Sequence, residues 1–177
     1  MGLNATRTIR FEKAVDEALQ TIAKHEKMTV NAIVNSAVRR YVEWDIHAER
    51  FGMVEASPAI MIALMKNTPM DEARALGRTM TKDIVLPAID LLFGEFNFEN
   101  TIEFLRRYAT YARRFNFEDR IEGRKHVILI RHSMGIKWSA YYAGVMDGVL
   151  VDTLGIKAEA IVGPETCVAK FELPVAP

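Results

Sequence analysis

The first fifty residues combine one short strand pattern with two amphipathic helix patterns, and this combination constrains the fold most. Residues 6–11 alternate in polarity as a β-strand does. One face carries Thr6, Thr8 and Arg10, and the other ends in Ile9 and Phe11. A lone strand leaves backbone groups unpaired at both edges, and so short a segment cannot bury three apolar faces. The pattern therefore predicts an obligate dimer, in which two copies pair their strands across a twofold axis.

Two helices are predicted directly after this strand. The first has an apolar face at helical spacing, formed by Val15, Ala18, Leu19 and Ile22. Thr29 is a favourable N-cap for the second helix, which runs towards Arg50. Its apolar face consists of Val30, Ile33, Val34, Ala37, Val38 and Tyr41. Phe51-Gly52 interrupts the pattern, so we divide the chain into domains at 1–50 and 51–177.

This strand–helix–helix order, over roughly residues 5–48, resembles the ribbon–helix–helix family of bacterial and archaeal repressors. The resemblance implies that a two-stranded ribbon enters the DNA major groove. Three alternating polar residues of the strand then contact bases, and here they correspond to Thr6, Thr8 and Arg10. Arg pairs well with guanine, and Thr packs on a thymine methyl or bonds a base edge. The alternative is a dimerisation ribbon whose Thr/Arg face is only solvated.

The same resemblance implies a DNA phosphate at the N-terminus of the second helix. The backbone amides involved are those near Thr29, Val30 and Asn31, where the helix dipole favours an anion. The family usually has Gly in the preceding turn, whereas this chain has Glu26-Lys27-Met28. A non-Gly residue with positive φ there would cost about 1–2 kcal/mol. No acid precedes Glu12, so the N-terminal segment is locally positive, as phosphate binding requires.

The remaining residues predict an α+β domain of helices followed by hairpin, helix and hairpin. The helical part is expected to comprise a short strand at 53–56 and helices over 58–66, 69–93 (bent by Pro87) and 98–115. The rest is expected to comprise strands at 115–121 and 125–131, a buried helix at 136–154, and strands at 156–162 and 166–173. This order is similar to 4-vinyl reductase-type small-molecule-binding domains. Leu129-Ile130-Arg131-His132 and Gly135-Ile136-Lys137-Trp138-Ser139 are similar to the sensor-like half of archaeal ribbon–helix–helix regulators.

Few residues of this second part point to chemistry. The sequence contains no nucleophile–base pattern, phosphate-binding loop, dinucleotide fingerprint or paired-His metal motif, so we expect no enzyme, cofactor or metal. His126, His132 and Cys167 are interpreted as structural, with a soft-metal site as the alternative. Cys167 is a core residue in this interpretation, and a redox-sensing thiol is its alternative.

Two further clusters have one structural and one functional interpretation each. Trp138, Tyr141, Tyr142 and Met146 lie on successive turns of one predicted helix. They are expected to pack in a core or dimer interface, or alternatively to line an apolar effector pocket. Arg106-Arg107 and Arg113-Arg114 are expected to form a solvated basic row, or alternatively to add contacts to the DNA backbone.

The sequence as a whole favours a cytoplasmic transcriptional regulator that binds double-stranded DNA as a homodimer. It has a single cysteine, no apolar run of about eighteen residues and no secretory signal pattern, so we expect neither a membrane partner nor export. The C-terminal part would oligomerise further or bind a small-molecule effector. Because the resembled family consists of repressors, we expect the protein to repress transcription. Two alternatives are an antitoxin-type protein whose C-terminal part binds a partner protein, and a small-molecule-binding protein with incidental DNA contact.

Overall fold

The chain forms two compact units. The structure, a computed structural model, describes residues 5–173 apart from the side chain of Glu122. The units are Met1–Ile46 and His47–Pro177, so their boundary lies a few residues before the end of a helix that finishes at Arg50. No helix among residues 5–173 is long and apolar enough to cross a membrane.

The first unit contains the two predicted helices. Helix α1 spans Lys13–Glu26 and helix α2 spans Val30–Arg40. A π-helical turn, Tyr41–Asp45, then leads without interruption into α3, Ile46–Arg50, so the predicted extension of the second helix is confirmed. Residues 5–12 belong to no helix or strand of the single chain. A ribbon needs a strand from another copy, so the ribbon stays a prediction.

The turn between α1 and α2 closes without glycine. Lys27 adopts the left-handed conformation, with φ of 54°, and its amide bonds the carbonyl of Ala23. The amide of Met28 bonds the same carbonyl at 2.9 Å. The departure from glycine left two outcomes open, a positive φ at a non-Gly residue or a different turn. The structure shows the first, and two hydrogen bonds to the helix end hold that conformation in place.

The second unit begins with helices. They are α4 (Pro58–Met65), α5 (Met70–Met80), α6 (Leu86–Phe93) and α7 (Phe98–Arg107). A π-helical turn at Thr81–Val85 joins α5 to α6 just before Pro87, where the missing N–H and the ring disturb regular helical hydrogen bonding. A second such turn, Tyr108–Ala112, extends α7, and Arg113 ends it with φ of 52°.

Three helix and strand predictions in this region are wrong in detail. Residues 53–56 form no strand, because no neighbouring strand pairs with them. Pro69 is the N-cap of α5 and not its first helical residue. The helix that begins at Phe98 ends at Ala112 and not at Phe115, because Arg113 takes the left-handed conformation that stops a helix.

Two hairpins and a helix complete the unit, as predicted. The strands are β1 (Asn116–Glu122), β2 (Lys125–Arg131), β3 (Ala158–Val162) and β4 (Thr166–Glu172). Between the hairpins, α8 spans Ile136–Met146 and continues as a π-helical segment, Asp147–Thr153. All strand pairs are antiparallel and the order is β1-β2-β4-β3, so β2 and β4 join the two hairpins with Ile130 opposite Cys167. The α+β class is therefore confirmed.

Helices α5 and α8 form the centre of this unit through a contact between glycines. A Cβ atom added at Gly144 would lie 1.9 Å from the carbonyl oxygen of Arg74, and one added at Gly77 would lie 2.0 Å from that of Tyr141. The two backbones therefore approach each other more closely than any side chain would permit. Beside this contact, the Arg74 guanidinium donates two hydrogen bonds, of 2.7 and 3.1 Å, to the Asp147 carboxylate.

Candidate functional site

The residues predicted to contact bases lie on an exposed segment before α1. Thr6, Thr8 and Arg10 are all exposed. Ile9 and Phe11, on the other face of the predicted strand, are 54% and 40% exposed. Residues 5–12 pair with no other strand in the part of the chain that the structure describes. Both the polar and the apolar face of this segment are therefore accessible in the single chain.

The predicted phosphate anchor coincides with a capped helix N-terminus. The Thr29 hydroxyl oxygen accepts a hydrogen bond from the amide of Ala32 at 3.1 Å, which confirms Thr29 as the N-cap. The amides of Val30 and Asn31 belong to the first turn of α2, where a helix has no internal acceptor for its N–H groups. That first turn carries no acidic residue, so no side-chain carboxylate there competes for these donors.

The apolar faces of the first unit are largely uncovered. Among its described residues, 5–46, only Ala23 and Trp44 are buried. The large apolar side chains that remain exposed are Ile9, Phe11, Val15, Ile22, Met28, Val38, Tyr41 and Val42. Val15 and Ile22 belong to the predicted inner face of α1, and Val38 and Tyr41 to that of α2. These helices thus present to solvent the faces that their sequences mark as core.

The second unit contains an apolar cavity of about 220 Å³. All four residues of the aromatic helical cluster, Trp138, Tyr141, Tyr142 and Met146, line it. The other aromatic lining residues are Phe104, Tyr108 and Phe115. Aliphatic and thioether side chains from the unit's first half also contribute, namely Met53, Met61, Ile84, Val85 and Leu105. The cluster therefore packs in the core and lines a cavity at the same time, so its two interpretations are compatible.

Aromatic packing fixes the shape of the cavity wall. The rings of Tyr108 and Phe115 stack with centroids 5.6 Å apart, and Phe115 meets Tyr142 edge-on at 5.1 Å. Trp138 meets Tyr141 edge-on at 5.0 Å, and its indole N–H donates to the carbonyl of Met61 at 2.9 Å. These contacts hold the rings in definite orientations, so the cavity is largely preformed.

The polar groups of the wall are phenols and one arginine. Burial raises the pKa of Tyr108, raises that of Tyr141 to about 12, and raises that of Tyr142 well above its ordinary value of 10.0. The three phenols are therefore neutral at physiological pH. Among the described residues that line the cavity, Arg114 alone carries a charge at physiological pH.

Arg114 holds the segment that connects α3 to α4. Its guanidinium donates one hydrogen bond to the carbonyl of Ala56 at 2.5 Å and another to that of Val54 at 3.2 Å. These bonds satisfy two carbonyls of a segment that pairs with no strand. Met53, in the same segment, lines the cavity.

The expectation of one solvated basic row is wrong for part of the row. Arg106 and Arg107 both pair with Glu103, and Arg107 also lies 5.0 Å from the ring centroid of Phe93. Arg113 and Arg114 lie beyond the helix end at Ala112, so they do not continue its face. Arg113 is exposed, whereas Arg114 is half-buried at the cavity.

His132 and Ser139 form a buried contact that the sequence did not reveal. His132 Nε2 lies 3.1 Å from Ser139 Oγ, and His132 Nδ1 accepts a hydrogen bond from the amide of Met134 at 3.1 Å. Burial lowers the pKa of His132, so its ring is neutral. Because Nδ1 accepts, Nε2 carries the proton and donates to Ser139. This direction is opposite to that in a serine activated by a histidine base.

The residues of the alternative metal site lie apart. His126 and His132 are six residues apart on one strand and its extension, a span of about 20 Å. His126 stacks on Phe171 with ring centroids 5.4 Å apart, and its Nδ1 lies 3.5 Å from a carboxylate oxygen of Asp119. Among the described residues, no three His, Cys, Asp or Glu side chains are grouped to hold a metal ion. His126 and His132 are therefore too far apart to bind one metal ion together.

Cys167 is buried in the sheet opposite Ile130. Burial raises the pKa of its thiol to about 12, so the reactive thiolate is suppressed at physiological pH. This environment agrees with the core interpretation and not with the redox-sensing alternative.

Sequence reasoning missed Arg114 and the His132–Ser139 contact. Arg114 bonds carbonyls about sixty residues earlier in the chain, and no periodicity encodes a contact of that separation. His132 and Ser139 lie on either side of a turn from strand to helix, so neither the strand period nor the helix period relates them. Comparisons with protein-family models and with curated proteins find no match to this chain.

Proposed function

We propose that this protein is a dimeric, sequence-specific DNA-binding regulator of the ribbon–helix–helix type, with residues 1–50 as its DNA-binding domain. The observation that carries the proposal is the uncovered apolar surface of the first unit. Val38 is 51% and Val42 is 60% exposed, although both lie on helices that need an apolar core. A second copy supplies that core and also the missing partner strand for residues 5–12.

The surface chemistry of the paired strands would suit DNA. Pairing two copies of residues 6–11 places Ile9 and Phe11 on the helices and leaves Thr6, Thr8 and Arg10 facing outwards. A two-stranded ribbon fits the major groove, where arginine distinguishes guanine by a bidentate hydrogen bond. The amides of Val30 and Asn31 would bind a neighbouring phosphate and fix the register of the ribbon.

The test is an in vitro selection of duplex DNA by the full chain. The wild type should enrich a short inverted repeat, because a twofold dimer contacts two half-sites. A Thr6→Ala/Thr8→Ala/Arg10→Ala variant should enrich none, and Arg10→Ala alone should lose about 1–3 kcal/mol of discrimination between bases. Arg7→Ala is the matched control, since Arg7 lies on the opposite face of the strand and its loss should leave the selected sequence unchanged. Equal enrichment by the triple variant would refute the proposed base contacts.

The cavity favours a second candidate function, a small-molecule-binding protein that contacts DNA only incidentally. The two candidates share the ligand site and differ in DNA specificity. Incidental contact is electrostatic, so it predicts binding that is independent of sequence and falls steeply with added salt. In the leading proposal the second unit is regulatory, and an effector acts by binding the DNA-competent arrangement with a different affinity.

A further inference from the structure

The volume and the wall of the cavity in the second unit suit a small, flat, aromatic group. Its volume of about 220 Å³ is below the ~300–1,000 Å³ of cavities that hold drug-sized ligands, so one or two fused rings fit. Its wall presents ring faces and edges from Trp138, Tyr141, Tyr142 and Phe115. Aromatic rings gain from edge-on and offset contacts with such a wall, whereas a flexible chain would lose rotational freedom.

One end of the cavity carries an uncompensated positive charge. Arg114 is half-buried, and it forms no ion pair with any residue from 5 to 173. Its two hydrogen bonds use two of the five guanidinium hydrogens, so donors remain for a ligand. Arg114 also borders a second groove that is lined by the exposed Arg113, whose charge adds to the positive potential there, whereas Arg131 in the same groove pairs with Glu118.

We propose that this cavity binds a small aromatic carboxylate, with the rings against Trp138 and Tyr142 and the carboxylate paired with the Arg114 guanidinium. A neutral aromatic molecule would fill the same space and leave the arginine without a counter-charge. An arginine–carboxylate pair in a partly buried site is stronger than a neutral hydrogen bond, so the anion is selected.

Through Arg114, a bound ligand could also affect another segment of the chain. The carbonyls that it holds, those of Val54 and Ala56, lie between α3 and α4, in the segment that follows the N-terminal helices along the chain. A carboxylate that binds the remaining guanidinium hydrogens fixes the orientation of Arg114, and with it the two carbonyls that Arg114 holds. This regulatory consequence rests on the proposed function, whereas the binding itself does not.

The experiment is calorimetric titration of the full chain, without DNA, with benzoate, cinnamate and 2-naphthoate and with the primary amide of each. At least one carboxylate should bind, with an affinity about tenfold or more above that of its amide. Arg114→Gln should abolish this preference for the carboxylate, and Arg114→Lys should retain part of it. Arg106→Gln is the matched control for loss of charge, because Arg106 pairs with Glu103 outside the cavity. Thermal unfolding of each variant verifies that it folds.

Three results would overturn the inference: equal affinity for carboxylate and amide, a preference that survives in a folded Arg114→Gln variant, or no binding of any of the six probes. A variant at the cavity rim, Ile84→Trp, should block the bound probe and so localises it. The selection of duplex DNA by the same chain is a separate measurement, and it distinguishes failure of this inference from failure of the proposed function. Sequence-specific DNA binding without probe binding refutes this inference alone, and probe binding without DNA binding refutes the proposed function alone.

Discussion

At the scale of single residues, His132 makes stability depend on pH. Its ring is neutral in the folded protein, because burial lowers its pKa from 6.5 and the opposing carboxylate of Glu165 does not offset this. Between the folded and unfolded pKa values, the unfolded chain binds a proton that the folded chain does not. The free energy of unfolding should therefore fall as the pH drops below about 6.5, and His132 should contribute no such dependence above that pH.

Urea unfolding at pH 5 to 8 measures this effect. In His132→Gln the loss of stability between pH 6.5 and pH 5 should be smaller than in the wild type, because glutamine does not titrate. A His132→Gln profile parallel to the wild type would show that folding does not lower the pKa of His132, which would contradict the prediction.

At the scale of elements, the close contact between α5 and α8 should make a glycine-to-alanine substitution destabilising, although alanine has the higher helix propensity. Alanine normally stabilises a helix by up to about 1 kcal/mol relative to glycine. At Gly144 the added methyl would meet the Arg74 carbonyl, and backbone cannot move aside as a flexible side chain can. Gly144→Ala should therefore destabilise the protein by about 1–3 kcal/mol or more, measured by urea unfolding.

A double variant makes this test specific to the helix contact. Gly77 and Gly144 lie at the same crossing, so separating the helices to admit one methyl also makes room for the other. Gly77→Ala/Gly144→Ala should cost less than the sum of the two single substitutions. Additive costs would mean that each alanine acts through its own helix. A stabilised single variant would contradict the close approach itself.

The elements also show which parts of this fold the sequence specifies. The β1–β2 turn contains Gly123, which takes φ of 67°. The sequence on either side of this turn predicts the two strands directly. The pairing of β2 with β4 is different, because it joins hairpins about forty residues apart and depends on which faces bury together. The predicted strand at 53–56 is wrong, since a strand exists only with a neighbouring strand and these residues have none, and Arg114 bonds two of their carbonyls instead.

The candidate sites divide in the same way. The aromatic residues of the cavity were recognisable because Trp138, Tyr141 and Tyr142 recur at helical spacing. The role of Arg114, whose charge gives the cavity its proposed selectivity, was not recognisable from the sequence. In the sequence, Arg114 resembles any exposed arginine near a helix end. Local order predicts which side chains share an element. It does not predict which distant backbone groups a long side chain will reach.

At the scale of the whole molecule, the proposed dimer depends on the exposed apolar faces of the first unit. Val38→Lys would place a charge where the proposed dimer has its apolar core, at a cost of several kcal/mol for an unpaired buried ion. In the single chain Val38 is half-exposed, so the same substitution costs the monomer little. The substitution should therefore convert the dimer into a monomer whose second unit remains folded, observed as a halved mass in sedimentation equilibrium, and DNA binding should be lost with it.

Ser36→Lys is the matched control, because Ser36 lies on the polar side of the same helix and is exposed. It adds the same charge and should leave the dimer intact. If Val38→Lys also remains dimeric, the exposed faces of α1 and α2 are not the dimer core, and assembly must arise in the second unit. If the wild type is itself a monomer at micromolar concentration, no ribbon can form in the absence of DNA. In that case the uncovered apolar surface of the first unit, on which the regulatory proposal rests, needs a partner other than a second copy of this chain.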